Sequence, residues 1–162
     1  MQYILNDQSE GIDFGRYLAY LESVRDRLPA HIYAFASNSC HFDLKSRNSL
    51  HDAWLEELAV REVASGERHE VRTAQIEIRL LGPYHDRRIH LLYDDVTEYR
   101  FELPPGGGNP RYEHTAHGDL YTHEICLAAG GRLTHELLFE RNSTFFVECA
   151  NITHWETSID VA

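Results

Sequence analysis

Between His117 and Trp155 the sequence alternates apolar and polar residues in three runs joined by short turns, a pattern that few folds other than an antiparallel sheet can accommodate. In the middle run Leu133, His135, Leu137 and Phe139 fall on one side, and Thr134, Glu136, Leu138 and Glu140 on the other. In the last run Phe145, Val147, Cys149 and Asn151 oppose Thr144, Glu148 and Ala150, with Phe146 the exception. The first run, His117 to Leu127, continues the apolar side with Ile125 and Leu127. The odd-numbered face is therefore the buried one.

Directly paired residues share a face, so odd must pair with odd. A two-residue loop at Gly130-Gly131 breaks that parity. A three-residue loop, Ala129-Gly130-Gly131, restores it and puts glycine at the left-handed third position. By the same logic Arg141-Asn142-Ser143 closes the second hairpin. The expected rows are Ile125, His135 and Cys149; then His123, Leu137 and Val147; then Tyr121, Phe139 and Phe145.

One chemical anomaly follows from this arrangement. His117, Asp119, Tyr121 and His123 continue a side that elsewhere is apolar, and polar groups at the edge of a core must be hydrogen-bonded or wet. Two readings stand open: a pocket lined by imidazoles, a carboxylate and a phenol, or a strand end that simply meets solvent.

Further upstream, Ile12, Leu18, Leu21, Val24 and Leu28 mark a helical face from about Asp13 to Leu28, ended by Pro29. His31 to Ala36 adds a further turn, and Ser37-Asn38-Ser39 reads as loop. Ser49 to Gly66 is ambiguous. Ser49 and Asp52 resemble an N-cap and its third residue, and Leu50, Trp54, Leu55 and Leu58 have helical spacing; read as a strand, the alternation is imperfect. Thr73 to Leu81 is a strand, with Ile76, Ile78 and Leu80 on one side. Ile89, Leu91 and Tyr93 mark another, Asp94-Asp95 a tight turn, and Tyr99, Phe101 and Leu103 a further alternating run. The segment from Pro104 to Pro110, with Gly106, Gly107, Gly108 and Asn109, forbids regular structure and separates two antiparallel sections of one sheet.

The expectation is an α+β single domain over residues 1–162. A helical N-terminal part, 1–40, packs on a β-rich core, 41–162, whose mostly antiparallel sheet of six or seven strands is open to curling toward a barrel.

With 26 acidic against 15 basic residues the formal charge is −11, which disfavours nonspecific attraction to nucleic acid or an anionic membrane and suits a basic protein partner. Solubility alone also explains such an excess. No signal peptide or long apolar run is apparent, and three cysteines without metal spacing fit a reducing cytosol, so a cytoplasmic location is expected. Asn142-Ser-Thr144 and Asn151-Ile-Thr153 match glycosylation acceptors, which carry little weight in that compartment.

Five of eleven histidines directly precede an acid: His51-Asp52, His69-Glu70, His85-Asp86, His123-Glu124 and His135-Glu136. On a strand such neighbours point to opposite faces and cannot share an ion. His117, Asp119 and His123 share a face on which successive residues stand about 7 Å apart, so a metal there needs another ligand, from His135 or the His51-Asp52 region. Without HExxH or a Cys/His cluster, no metal and no cofactor is assigned. Cys40-His41 is a weak nucleophile pair, His135 is a hydrogen-bonded core histidine, and Trp54 and Trp155 are packing residues.

The segment Ser49-Leu50-His51-Asp52-Ala53-Trp54-Leu55, followed by alternating strands and by His135-Glu136-Leu137-Leu138-Phe139, resembles uncharacterised bacterial domains that open a β-rich core with an LHDA-type motif. Some of these are grouped with immunity proteins of polymorphic toxin systems. The resemblance covers the last two-thirds of the chain and leaves the N-terminal helix outside. It implies that the LHDA segment leads into a strand, and it brings no catalytic residues.

Two functional expectations result. The leading one is a small non-enzymatic binding protein, an immunity-type inhibitor of a basic toxin domain. The alternative is an enzyme or a small-ligand or metal-binding protein using His117, Asp119, Tyr121 and His123 with His51, Asp52 and His135. A homo-oligomer joined through an exposed sheet face is a third arrangement.

Overall fold

The computed structural model describes residues 1–7, 11–106 and 110–159. The Gly107-Gly108-Asn109 part of the expected irregular loop lies outside the described residues. The chain is α+β, with helices at the N-terminal end and antiparallel strands beyond. After a small pair of strands, β1 (Leu5–Asp7) and β2 (Gly11–Asp13), comes helix α1 (Gly15–Val24), prolonged by a 3-10 turn at Arg25–Arg27. Pro29 begins α2 (Ala30–Ala36), which a second 3-10 turn, Ser39–His41, follows. The buried face of α1 runs through Tyr17, Leu21 and Val24 and on to Leu28, while Leu18, expected inside, is 41% exposed. Tyr17 takes its place because residues 17, 21, 24 and 28 form the tighter stripe at helical spacing.

The strands form two sheets rather than one. The first contains β3 (Trp54–Ser65), β4 (Val71–Leu81), β5 (Arg87–Val96) and β10 (Asn151–Ser158), in the order β10-β5-β4-β3. The second contains β6 (Glu98–Glu102), β7 (Leu120–Leu127), β8 (Leu133–Phe139) and β9 (Thr144–Cys149), in the order β6-β9-β8-β7. One antiparallel ribbon joins them. Its arms β5–β6 and β9–β10 pass from sheet to sheet at Thr97 and Ala150, where Thr97 N donates to Glu148 O and Ala150 N to Asp94 O. At the opposite edges Leu120 N donates to Ala53 O (2.8 Å) and Asp52 N to Leu120 O (2.9 Å), with a bridge between Trp54 and Asp119. The sheets are stitched on both sides, yet they do not close into a barrel.

Asp94-Asp95 is not a hairpin turn. It is a bulge, the two residues standing opposite Gln75 alone so that β5 carries one extra residue, with Asp95 at φ 51°, and it bends the strand toward the second sheet. Ser49 to Gly66 resolves as a turn and then a strand. Ser49 Oγ accepts from His51 N, Asp52 adopts φ 64°, and β3 follows. A bulge at Glu56 sets Leu55 opposite Leu80 and Leu58 opposite Ile78, so a three-residue spacing that imitates a helix lies on one sheet face.

The first expected hairpin forms as the parity argument requires, with Ile125 opposite His135 and Gly131 at φ 81°. The second keeps the parity but slips by two residues. Leu133, not His135, faces Cys149, because the loop is Glu140-Arg141-Asn142 and Asn142 (φ 58°), not Ser143, occupies the left-handed position. At the start of β7 a bulge at Tyr121 breaks the expected row. Leu120 faces Phe139 and is fully buried, while Tyr121 turns out of the core.

The interior is lined by Ile76, Ile78, Leu80, Ile89, Leu91 and Tyr93 from one sheet and by Ile125, Leu133, Leu137, Phe139, Phe145 and Val147 from the other. Helix α1 lies along β7. The Tyr17 hydroxyl accepts from Ile125 N (2.8 Å) and donates to Ile125 O (3.1 Å), and Tyr20 Oη accepts from Leu127 N (2.7 Å).

Candidate functional site

The bulge at Tyr121 divides the expected histidine stripe. Four of its candidate residues, His51, Asp52, Asp119 and Tyr121, meet at the outer seam between the sheets, with His117 beside them. His123 and His135 lie in the interior and belong to a second cluster.

At the seam, the backbone pairing of residues 52–54 with 119–120 brings the loop before β3 against the entry to β7. Glu140 N donates to Asp119 O and Arg141 N to His117 O, which fixes the loop after β8 against the same segment. Gly118, at φ 75°, is required here. A Cβ would stand 3.0 Å from Glu140 Cβ and 3.3 Å from the Tyr112 ring. These elements enclose a cleft of about 390 Å³ lined by Trp54, Leu55, Arg111, Tyr112, His117 and Asp119, among others. Trp54 packs at the edge rather than in the core: it lies on the edge strand β3 with its ring 4.3 Å from that of His85, and it is 46% exposed.

Tyr112 donates to Asp119, and burial followed by this bond raises its phenol to about 12. The Arg111 guanidinium lies over the Tyr112 ring, 5.5 Å from its centroid. Burial pushes the Glu140 carboxyl up; His51 opposes this, the like charges of Asp119 and Asp52 add to it, and Arg111 again opposes it. His51 Nδ1 donates to Tyr121 O (2.8 Å), and Nε2 lies 3.3 Å from Asp52 Oδ1. His117 stacks on Phe101, its Nδ1 meets Ser143 Oγ at 3.0 Å, and burial lowers its pKa. The seam thus sets the exposed Trp54 ring beside Asp119, with Asp52 and Glu140 near, while Arg111 covers the buried Tyr112 ring; its open aromatic face is that of Trp54, and its carboxylates outnumber the cation already there.

The interior cluster is a hydrogen-bonded chain. Tyr93 Oη meets His135 Nδ1 at 2.9 Å, and His135 Nε2 meets His123 Nδ1 at 3.0 Å. His135 is a hydrogen-bonded core histidine, as expected. Two further imidazoles join from elements far away in sequence, His41 from the Ser39–His41 turn and His154 from β10. The Phe35 ring lies among all four, with centroids 4.6 Å from His154, 4.9 Å from His41, 5.8 Å from His123 and 6.5 Å from His135. His41 Nδ1, His123 Nε2 and His154 Nε2 are buried without a hydrogen-bond partner.

Burial dominates the protonation of these groups. It lowers His41 to about 4, with His154 adding to the effect, and His135 to about 3, with His41 adding to it. His123 falls well below its ordinary value through burial and then the charges of His41, His135 and His154. His154 is lowered by burial, against Glu156 and with Arg87 and His90.

Among the described residues no group of three His, Cys, Asp or Glu side chains is placed to hold a metal ion. His117, Asp119 and His123, considered above for a shared ion, are separated between seam and interior. Sequence reasoning missed Tyr112, Arg111 and Glu140 at the seam and His154 and Phe35 inside, had Tyr93 only as a strand residue, and had His41 only as half of a weak nucleophile pair with Cys40; tertiary contacts alone bring these residues into the two clusters. No family model, curated protein or solved structure matches the chain.

Proposed function

We propose that the chain is a small non-enzymatic binding protein whose ligand is a basic protein, with an immunity-type inhibitor of a basic toxin domain as the specific form of this reading. The observation that carries it is the seam cleft, where exposed Trp54 stands beside Asp119, with Glu140 and Asp52 in electrostatic reach. An arginine or lysine of the partner finds the exposed Trp54 face for its stem and carboxylates for its head, and the formal charge of −11 steers a basic surface toward it.

The test is calorimetric titration with the basic protein encoded beside the gene, at low and high salt. We expect binding that weakens with salt and falls about tenfold or more, about 1.4 kcal/mol, in both Asp119→Asn and Trp54→Ala. No binding at any salt, or binding that neither variant changes, defeats the reading.

One observation favours a second reading. A carboxyl raised by burial next to other carboxylates is the arrangement of an acid–base pair, and Glu140 has it. Turnover of an ester, phosphoester or glycoside that Glu140→Gln abolishes would make the seam an active site instead.

A further inference from the structure

The interior histidines lie apart from the seam and ask for a separate account. Four imidazoles surround one phenyl ring, and three of their nitrogens are buried without a hydrogen-bond partner among the described residues. Each arrives on a different element: His41 on the Ser39–His41 turn, His123 on β7, His135 on β8 and His154 on β10.

The groups that face them are unequal. From β5 come the neutral Tyr93 hydroxyl, bonded to His135, and the cationic or cationisable Arg87 and His90, which act on His154. From β9 comes the buried Cys149 thiol, near Tyr93. From α2 comes the Phe35 carbonyl, the one group that favours charge on His41. From β10 comes the Glu156 carboxylate, 3.7 Å from His154. For His41, His123 and His135 the other ionisable groups acting are imidazoles, so a proton on one is repelled by the next rather than compensated.

A proton has a way in and a segment to displace. A groove of about 410 Å³ between α2 and β10, lined by His31, Phe35, Asn38, Ile152, Thr153 and His154 among others, reaches the cluster at His154, whose side chain is 27% exposed. His123 and His135 sit on strands paired to each other, with α1 over the outer edge of β7. His41 sits on a three-residue turn behind a seven-residue helix, and a His31–Asn151 side-chain hydrogen bond helps tie that helix to β10.

We propose that this cluster is a proton-operated latch: uptake of protons by the imidazoles displaces α2 and the Ser39–His41 turn from the groove beside β10 and opens the interior there. In the closed form the imidazoles are neutral and Phe35 seals them. In the open form His41 and His154 reach water and hold their charge.

The test is hydrogen exchange on the intact chain at about pH 7.5 and about pH 5.5, corrected for the intrinsic exchange rate, a window set by the ordinary histidine pKa. Amides of 30–41 should lose protection, up to about tenfold per pH unit for each imidazole that charges on opening, while those of β4 and β8 keep theirs. His41→Phe keeps an aromatic ring against Phe35 but takes up no proton, and should flatten this dependence. Should that variant fail to fold, His154→Gln at the groove should reduce it. Equal loss of protection in β4 and β8, or a dependence that both variants leave intact, overturns the latch.

Discussion

Glu124 shows how much a single side chain can decide without announcing itself. In the sequence it is the outward partner of His123 on an alternating strand, the place where a solvated acid belongs. Instead it is 4% exposed and accepts from the backbone of Gln2 (2.7 Å), Tyr3 (2.8 Å) and Ile4 (2.7 Å), so three amides of the N-terminal segment converge on one carboxylate, while the Met1 amino group pairs with Glu136 at 2.6 Å. Nothing local distinguishes this acid from Glu136 or Glu148, because its partners lie about 120 residues away. Glu124→Gln keeps one acceptor oxygen and sets an amide N–H₂ among donors. It should cost about 3 kcal/mol, in the range of charge-assisted bonds lost in a buried setting. Urea unfolding reads this as a lower midpoint at unchanged slope. A midpoint within error of the wild type would mean that the three bonds are not held in solution.

At the scale of elements, most of what was legible came from parity and most of what was not came from bulges. The alternation of Leu133 to Phe139 and of Phe145 to Cys149 places the right residues inside, and it does so even though the second hairpin slips by two, because an even slip preserves faces. A bulge adds one residue and inverts everything beyond it. The one at Tyr121 put Leu120 in the core and split the expected site between seam and interior. The one at Glu56 made a strand imitate a helix. Edge protection was equally hidden, since a helix expected to cover an apolar face also satisfies strand β7 through Tyr17 and Tyr20. Tyr17→Phe leaves both the amide and the carbonyl of Ile125 short of a partner in a buried place, at a cost of about 1–3 kcal/mol. Tyr20→Phe frees only the half-buried Leu127 amide and should cost less. Thermal denaturation of the two variants checks the order. If Tyr20→Phe proves the more damaging, the helix does not cap the strand in the way described.

For the whole molecule, burial of neutral ionisable groups sets the pH range in which the fold is most stable. The two-sheet core was not legible, because a ribbon that bends at Thr97 and Ala150 keeps its inside and outside across the bend. Its consequence is an interior that contains histidines, tyrosines and cysteines together. On the acid side, His41 and His135 sit at about 4 and about 3 against an ordinary 6.5. The unfolded chain then binds more protons than the fold, so their contribution is complete above pH 6.5 and is lost as pH falls through 6.5 toward those values. The salt-bridged carboxylates of Glu56 and Glu77, lowered against burial by Arg88 and Arg79 and by Arg61 and His90, add a further loss at lower pH. On the alkaline side the sign reverses. Burial raises Tyr17 and Tyr93 above 10 and Cys149 from 9 to about 12, so the fold holds protons that the unfolded chain releases, and stability declines as pH rises past 9. Denaturant midpoints measured across pH should therefore form a plateau from about 7 to about 9 with a descent on each side. His135→Gln removes one imidazole from the balance and should make the acid descent shallower while lowering the plateau through loss of its Tyr93 and His123 partners. An acid descent that begins only near pH 4, where carboxylates titrate, would mean that the interior histidines are already charged or solvated in the folded chain.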